Sequence, residues 1–357
     1  MLSILYTIII MAFTQQDTEC MSLALKLSEL GRASVGANPM VGCVITRDDE
    51  IIAQDFHRQY GEGHAEINAL DQINHEAKNT SIYVTLEPCS HQGKTPPCAD
   101  ALIKAGVKKV IIAMLDPNPL VSGRGVKMLQ DANIQVEVGL LEDEASELNR
   151  GFVKRMRTGM PFVTSKIAMS LDGRTAMKNG ESKWITSDAA RKDVHKLRSE
   201  NQAIMTGSGT IINDNPMMTV RLNEIDSNPL RVIIDSGNVI NDKSLNIFSS
   251  NADTLVLNSD NSKTLSNGKI DLKSALTKLG EMGVNNLLLE AGSSLNGAML
   301  EACLVDEFII YTAPLILGND ARPMIDIPLK TMSEKIELSI IDIRHVGTDI
   351  KIRATLK

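Results

Sequence analysis

Apolar residues recur along this chain at two spacings, every third or fourth residue and every second, and the switches between them mark out its elements. Between 17 and 35, Leu23, Leu27 and Leu30 fall at helical spacing, with Asp17 the expected N-cap. The runs VGCVI (41–45) and IIAQD (51–55) flank the charged turn TRDDE (46–50), the pattern of a β-hairpin. HAEINALDQI (64–73) predicts a helix, and SIYVTL (81–86) a short strand that runs into Glu-Pro-Cys. ADALIKAG (99–106) predicts a helix stopped by Gly106. VKKVIIAML (107–115) and IQVEVG (134–139) read as strands. Helix, hairpin, then alternating helix and strand predicts a three-layer α/β sandwich around a mixed sheet.

Residues 142–154 read as a closing helix, and RMRTGMP (155–161) then gathers basic residues, Gly and Pro. The boundary is placed there, giving domains 12–157 and 158–357. Strands are expected again at FVTSKIAM (162–169), AIMTG (203–207), RVIIDS (231–236), DTLVLN (253–258), NNLLLE (285–290) and EFIIYTAP (307–314), with helical stretches between most of them. This is a second α/β domain of ordinary size.

A chain of 357 residues agrees with two domains. Aromatic residues make up only 3%, so Leu, Ile, Val and Met must fill both cores. The formal charge of −7 argues against a general affinity for nucleic acid. Cys20, Cys43, Cys89, Cys98 and Cys303 are odd in number and scattered, which is no disulfide framework and leaves metal ligation by a subset. The opening MLSILYTIIIMAF is apolar but shorter than the about 20 residues of a spanning helix. It lacks a basic n-region and a cleavage site. Residues 1–11 are therefore expected to be an extension from a start assigned too early, with Met11 the true start. No membrane association is expected, and the enzyme is placed in the cytoplasm.

The strongest chemical signal is His64-Ala65-Glu66, followed by Glu87-Pro88-Cys89 and by Cys98. One His and two Cys hold zinc in nucleobase deaminases, beside a Glu that is not a ligand. Three protein ligands leave a fourth position open for water, whose pKa zinc lowers toward about 7. Glu66 is the expected catalytic residue, taking a proton from the water and passing it to the leaving nitrogen. His64, Cys89 and Cys98 are the expected metal ligands. Eight residues, SHQGKTPP, separate the cysteines, where the common signature has about two. A closed structural zinc site is the alternative; it would need a fourth ligand, for which Cys43 and His91 are candidates. Cys43, inside VGCVI, reads better as a small core residue. His75, His195 and His345 read as surface histidines.

Several segments together carry a family resemblance: NPMVGCVI (38–45), HAE (64–66), YVTLEPCSHQGKTPPC (83–98), DPNPLVSGRG (116–125), SKIAMSLDGRTA (165–176), GESKWITS (180–187), NDNPMMTVR (213–221), LLLEAG (287–292) and DEFIIYTAPLILG (306–318). The chain resembles the bifunctional deaminase–reductases of riboflavin biosynthesis from about Ala12 to its end. The resemblance implies a cytidine-deaminase-like N-terminal domain and a dihydrofolate-reductase-like C-terminal domain. It implies zinc and NADPH as cofactors, phosphorylated pyrimidines as substrates, and a homo-oligomer formed through the reductase domains. The first reaction would release ammonia from 2,5-diamino-6-(5-phosphoribosylamino)pyrimidin-4-one. The second would reduce the ribosyl group of the resulting uracil to ribityl.

Carried over by motif, Asn38, His57, His91 and Lys94 would bind the first substrate. Lys166, Ser182, Arg198, Arg221 and Glu290 would bind the second, the two guanidinium forks matching a phosphate. Ala168, Trp184, Thr210, Asp214, Ser236 and the loop Gly292, Ser293, Ser294 and Leu295 would touch the cofactor. Asp172, in the same segment as Lys166, is expected in that cleft. The second domain has no G-x-G-x-x-G after its first strand, but AIMTGSGT and LLLEAGSSLNGAM each end a strand with glycine before a helix. Such turns suit a pyrophosphate, although a plain strand–helix turn would look the same. Arg198 and Arg221 could likewise be ordinary surface charges. A single-activity deaminase with a degenerate or assembly-only second domain is the alternative function.

Overall fold

The computed structural model describes residues 13–90, 96–119, 121–222 and 228–357. The chain divides into two units, the first ending at Val153 and the second running from Lys154 to Lys357. The expected extension at 1–11 lies outside the described residues. No helix among those described is long and apolar enough to cross a membrane.

Helix α1 (Gln15–Ser28) opens on Thr14, and Asp17 is its third residue. Thr14 Oγ1 accepts from the Asp17 N–H at 3.0 Å while the Asp17 carboxylate accepts from the Thr14 N–H at 2.9 Å, a reciprocal capping box. This corrects the N-cap expected at Asp17. Asp17 serves a second partner as well, accepting from Tyr83 Oη at 2.8 Å. The buried face is Cys20, Met21, Ala24 and Ser28, and Leu30 is 64% exposed. The small residues face the sheet because Gly42 lies against the Ala24 carbonyl, where a side chain of any size would collide.

Strands β1 (Gly42–Arg47) and β2 (Glu50–Phe56) form the hairpin. Asp48 and Asp49 both have positive φ, 48° and 69°, the backbone of a two-residue type I′ turn. Then come α2 (Ala65–Asp71), β3 (Ser81–Leu86), α3 (Cys98–Lys104), β4 (Lys109–Met114), α4 (Arg124–Asp131), β5 (Gln135–Val138), α5 (Glu142–Leu148) and α6 (Arg150–Thr158). The sheet order is β2-β1-β3-β4-β5, antiparallel through β2, β1 and β3 and parallel through β3, β4 and β5. Gly42 meets α1 and its neighbour Cys43 faces the other side, towards Glu66 of α2, so helices cover both faces. The single closing helix expected over 142–154 is two helices. They break at Asn149, whose side chain accepts from the Met40 N–H and donates to the Met40 carbonyl, both at 2.8 Å.

The second unit contains β6 (Phe162–Ser170), β7 (Arg174–Ala176), α7 (Asp188–Ser199), β8 (Ala203–Gly207), α8 (Ser208–Asp214), β9 (Leu230–Asp235), β10 (Thr254–Asn258), α9 (Leu272–Glu281), β11 (Asn286–Leu289), α10 (Ser293–Glu301), β12 (Glu307–Ala313), β13 (Arg322–Pro323), β14 (Leu338–Val346) and β15 (Asp349–Leu356). Its eight-stranded sheet runs β10-β9-β8-β11-β6-β12-β15-β14, parallel as far as β12 and antiparallel beyond. Leu287 and Leu289 of β11 pack with Leu276 and Leu279 of α9 and Met299 of α10. Leu288 packs on the opposite face with Val194 and Leu197 of α7 and Ile211 of α8. Both faces of the parallel strands are covered, as their near-continuous apolar runs require.

Candidate active sites

His64 occupies the N-cap position of α2 but makes no capping hydrogen bond, so its ring is left for another partner. Cys89 follows β3, and Cys98 is the first residue of α3. The three donor atoms lie within 4.8 Å of one another. His64 Nδ1 is 3.2 Å from Cys98 Sγ and 3.6 Å from Cys89 Sγ. Tetrahedral zinc with ordinary bond lengths separates a nitrogen from a sulfur ligand by ~3.6 Å, so the set fits that metal. The Cys98 N–H at the start of α3 donates to Cys89 Sγ at 3.2 Å. The Cys98 thiol and the His64 ring hold the Cys89 thiol well below its usual range, and the same contact with burial pushes Cys98 up. Cys43 is buried in β1 and does not belong to the cluster.

Glu66 lies in the first turn of α2, buried, with Oε2 lacking a hydrogen-bond partner. Burial pushes its carboxyl up to about 7, the Cys89 thiolate adding to this and the His64 ring opposing it. A carboxyl poised there can hold or release a proton near neutrality. Asn38 Nδ2 donates to His57 Nε2 at 3.0 Å, and His57 Nδ1 donates to the Gly63 carbonyl at 3.0 Å. The His57 ring stands edge-on to that of His64, 5.4 Å between centroids. Buried, with both nitrogens engaged, His57 holds the Asn38 side chain in place. His91 and Lys94 lie outside the described residues.

Sequence reasoning passed over Glu87. Its buried carboxylate accepts four backbone N–H groups, from Asp116 (3.1 Å), Gly123 (2.9 Å), Gly125 (2.9 Å) and Val126 (3.2 Å). It thereby ties the start of α4 to the strand end that carries Cys89. Gly125 is required by the same contact, because a Cβ there would lie 2.1 Å from the Pro88 carbonyl oxygen.

In the second unit a cleft of about 990 Å³ opens at the carboxyl ends of β6, β8, β9 and β11, the edge at which open α/β sheets take ligands. Lys166, Ser182, Arg198, Arg221 and Glu290 all line it. So do Ala168, Trp184, Thr210, Asp214, Ser236 and the loop from Gly292 through Ser293 and Ser294 to Leu295. Glu290 accepts a two-pronged contact from Arg198, 2.6 Å from Nε and 3.0 Å from a terminal nitrogen, and Lys166 Nζ stands 3.6 Å away. Burial alone would raise the Glu290 carboxyl, but Arg198 and Lys166 hold it at about 2. Trp184 is 67% exposed and stacks on the Arg191 guanidinium at 4.4 Å.

Asp172 is not among the lining residues; its carboxylate accepts from the N–H groups of Leu317 and Gly318 and braces that turn. His195 is no surface histidine but half-buried and in the cleft wall.

Comparison with known proteins agrees with both halves. Residues 161–352 match the RibD C-terminal domain, and residues 14–114 match the cytidine and deoxycytidylate deaminase zinc-binding region. The chain is 44% identical to the riboflavin biosynthesis protein RibD of Escherichia coli (strain K12), over 94% of this chain and 98% of that one. The chain belongs to the RibD family. It is thus a bifunctional deaminase–reductase of riboflavin biosynthesis, and its two domain types imply zinc and a nicotinamide cofactor. The Acinetobacter baumannii RibD structure superposes with a TM-score of 0.89 at 42% identity, covering 96% of this chain and 99% of that one. A Thermotoga maritima structure does so at 0.87 and 32% identity, with the same coverage. The latter is described as a diaminohydroxyphosphoribosylaminopyrimidine deaminase/5-amino-6-(5-phosphoribosylamino)uracil reductase.

Proposed function

We propose that the first domain deaminates 2,5-diamino-6-(5-phosphoribosylamino)pyrimidin-4-one and that the second reduces the ribosyl group of 5-amino-6-(5-phosphoribosylamino)uracil with NADPH. The observation that carries this is the convergence of His64, Cys89 and Cys98 beside Glu66, whose Oε2 has no hydrogen-bond partner, in one unit, and of Lys166, Arg198 and Arg221 around Glu290 in the other.

His64, Cys89 and Cys98 would hold the zinc, which when bound would supply a Lewis acid able to make water acidic near neutrality. Glu66 Oε2 takes the proton of the attacking water and delivers it to the leaving nitrogen. Asn38, held by His57, hydrogen-bonds the polar edge of the pyrimidine, and Lys94 with His91 takes its anionic end. In the reductase cleft, Ala168, Trp184, Thr210, Asp214, Ser236 and residues 292–295 would cradle NADPH, which would supply the hydride. Backbone N–H groups at the start of α10 face that cradle behind Gly292, where a Cβ would meet nothing. Arg198, Arg221, Lys166 and Ser182 bind the second substrate, three cations against the one carboxylate of Glu290 favouring a phosphate. Catalysis there rests on positioning.

The enzyme acts in the cytoplasm and associates through its reductase domains. Edge strand β14 supports this: Leu338, Ile340 and Ile343 are 37%, 60% and 57% exposed. They pair across to Leu356, Ala354 and Ile352 of β15 and so extend the core face of the sheet beyond its cover. Glu66→Gln tests the assignment of roles. Ammonia release should fall by about 10²–10⁴-fold with zinc still bound, while NADPH oxidation on the deaminated substrate stays unchanged. Full ammonia release by that variant contradicts the role given to Glu66.

A further inference from the structure

His195 has no part in the scheme above, yet it occupies the wall of the reductase cleft between two arginines. It lies one turn before Arg198 on α7, so the two side chains share a helix face. Both reach the same stretch of backbone. Arg198 donates to the Thr219 carbonyl at 3.0 Å, and the Arg221 N–H donates to His195 Nδ1 at 3.3 Å. We propose that His195 is a positioning residue: its imidazole fixes the backbone at Arg221 and thereby aims the Arg221 guanidinium at the phosphate of the second substrate. The inference rests on the reading of this cleft as the reductase site.

The chemistry is specific about the ring. Nδ1 can accept from the Arg221 N–H only when unprotonated, so the ring must be neutral with its proton on Nε2. The surroundings keep it neutral. Burial together with Arg198 on α7 and Arg221 on the facing segment holds its pKa down at about 4, against opposition from Glu290 at the end of β11 and the Thr219 carbonyl. Lys166 of β6, another cation lining the cleft, is paired to Glu290. A histidine is suited here as a flat acceptor that adds no further cation beside Lys166 and the two guanidinium groups.

The experiment is steady-state kinetics of the full-length, zinc-loaded protein with NADPH and 5-amino-6-(5-phosphoribosylamino)uracil, repeated with the same compound lacking its phosphate. His195→Leu should raise KM for the phosphorylated substrate by roughly tenfold or more, with kcat and the KM for NADPH unchanged. His195→Asn places its oxygen where Nδ1 stands and should recover most of that loss. His195→Gln, equally polar but with its oxygen one bond farther out, should behave like the leucine variant and serves if that variant does not fold. On the substrate without phosphate, wild type and variants should coincide. A KM unchanged on the phosphorylated substrate, or raised equally on both, overturns the inference. If wild type itself fails to oxidise NADPH with this substrate, the reading of the cleft falls instead.

Discussion

Replacing Glu290 by glutamine removes a carboxylate that two buried cations share, and the structure sets the size and pH dependence of the loss. Arg198 grips both carboxylate oxygens and Lys166 stands 3.6 Å away. Their field overcomes the effect of burial and holds the carboxyl at about 2, against 4.5 for an unperturbed glutamate. A group held that far down contributes about 3 kcal/mol to folding wherever it is ionised in both states. Because the folded pKa is the depressed one, this contribution is fully present above about 4.5 and drains away as pH falls towards 2. Glu290→Gln should therefore destabilise the reductase unit by about 3 kcal/mol at pH 7. The gap between wild type and variant should narrow steadily below pH 4.5. Trp184, the sole tryptophan, belongs to this unit, so its fluorescence during urea unfolding reports on the right domain. A variant as stable as wild type at pH 7, or a gap that stays constant through acid pH, would refute the account of this buried cluster.

Gly125→Ala should drive a methyl group into the Pro88 carbonyl. It should cost the deaminase unit about 2 kcal/mol or more and lower its zinc content by shifting Cys89. An unchanged melting temperature with full zinc would contradict that. Ile340→Lys combined with Ile343→Lys should shift the protein towards monomers in sedimentation, since charges on an exposed edge oppose strand and face association; the same sedimentation coefficient as wild type would remove β14 from the interface.

The side chains that the fold gathers into the candidate zinc cluster and the reductase cleft were the most legible from sequence. Zinc chemistry accepts few side chains, and His64, Glu66, Cys89 and Cys98 declared themselves by type and spacing. What stayed hidden depends on contacts distant in sequence. Helix α4 went unnoticed because its start is organised by Glu87, 36 residues before Gly123, and not by a local cap. The break between α5 and α6 is set by the bonds of Asn149 to Met40, 109 residues away. Strands β14 and β15 were missed because β14 leaves apolar residues exposed and carries a register shift between Ile340 and Asp342, which spoils the two-residue alternation. His195 looked like a surface residue because one face of α7 is polar for two reasons, solvent on one side and the cleft on the other, and spacing alone does not separate them.

If one chain performs both reactions, the two can be followed together in a single vessel. Purified, zinc-loaded protein is given 2,5-diamino-6-(5-phosphoribosylamino)pyrimidin-4-one and excess NADPH, and ammonia and NADPH are measured over the same time course. One NADPH should be oxidised for each ammonia released, with ammonia appearing first. Ammonia released in full while NADPH remains untouched would contradict it and leave the second domain without its reductase role.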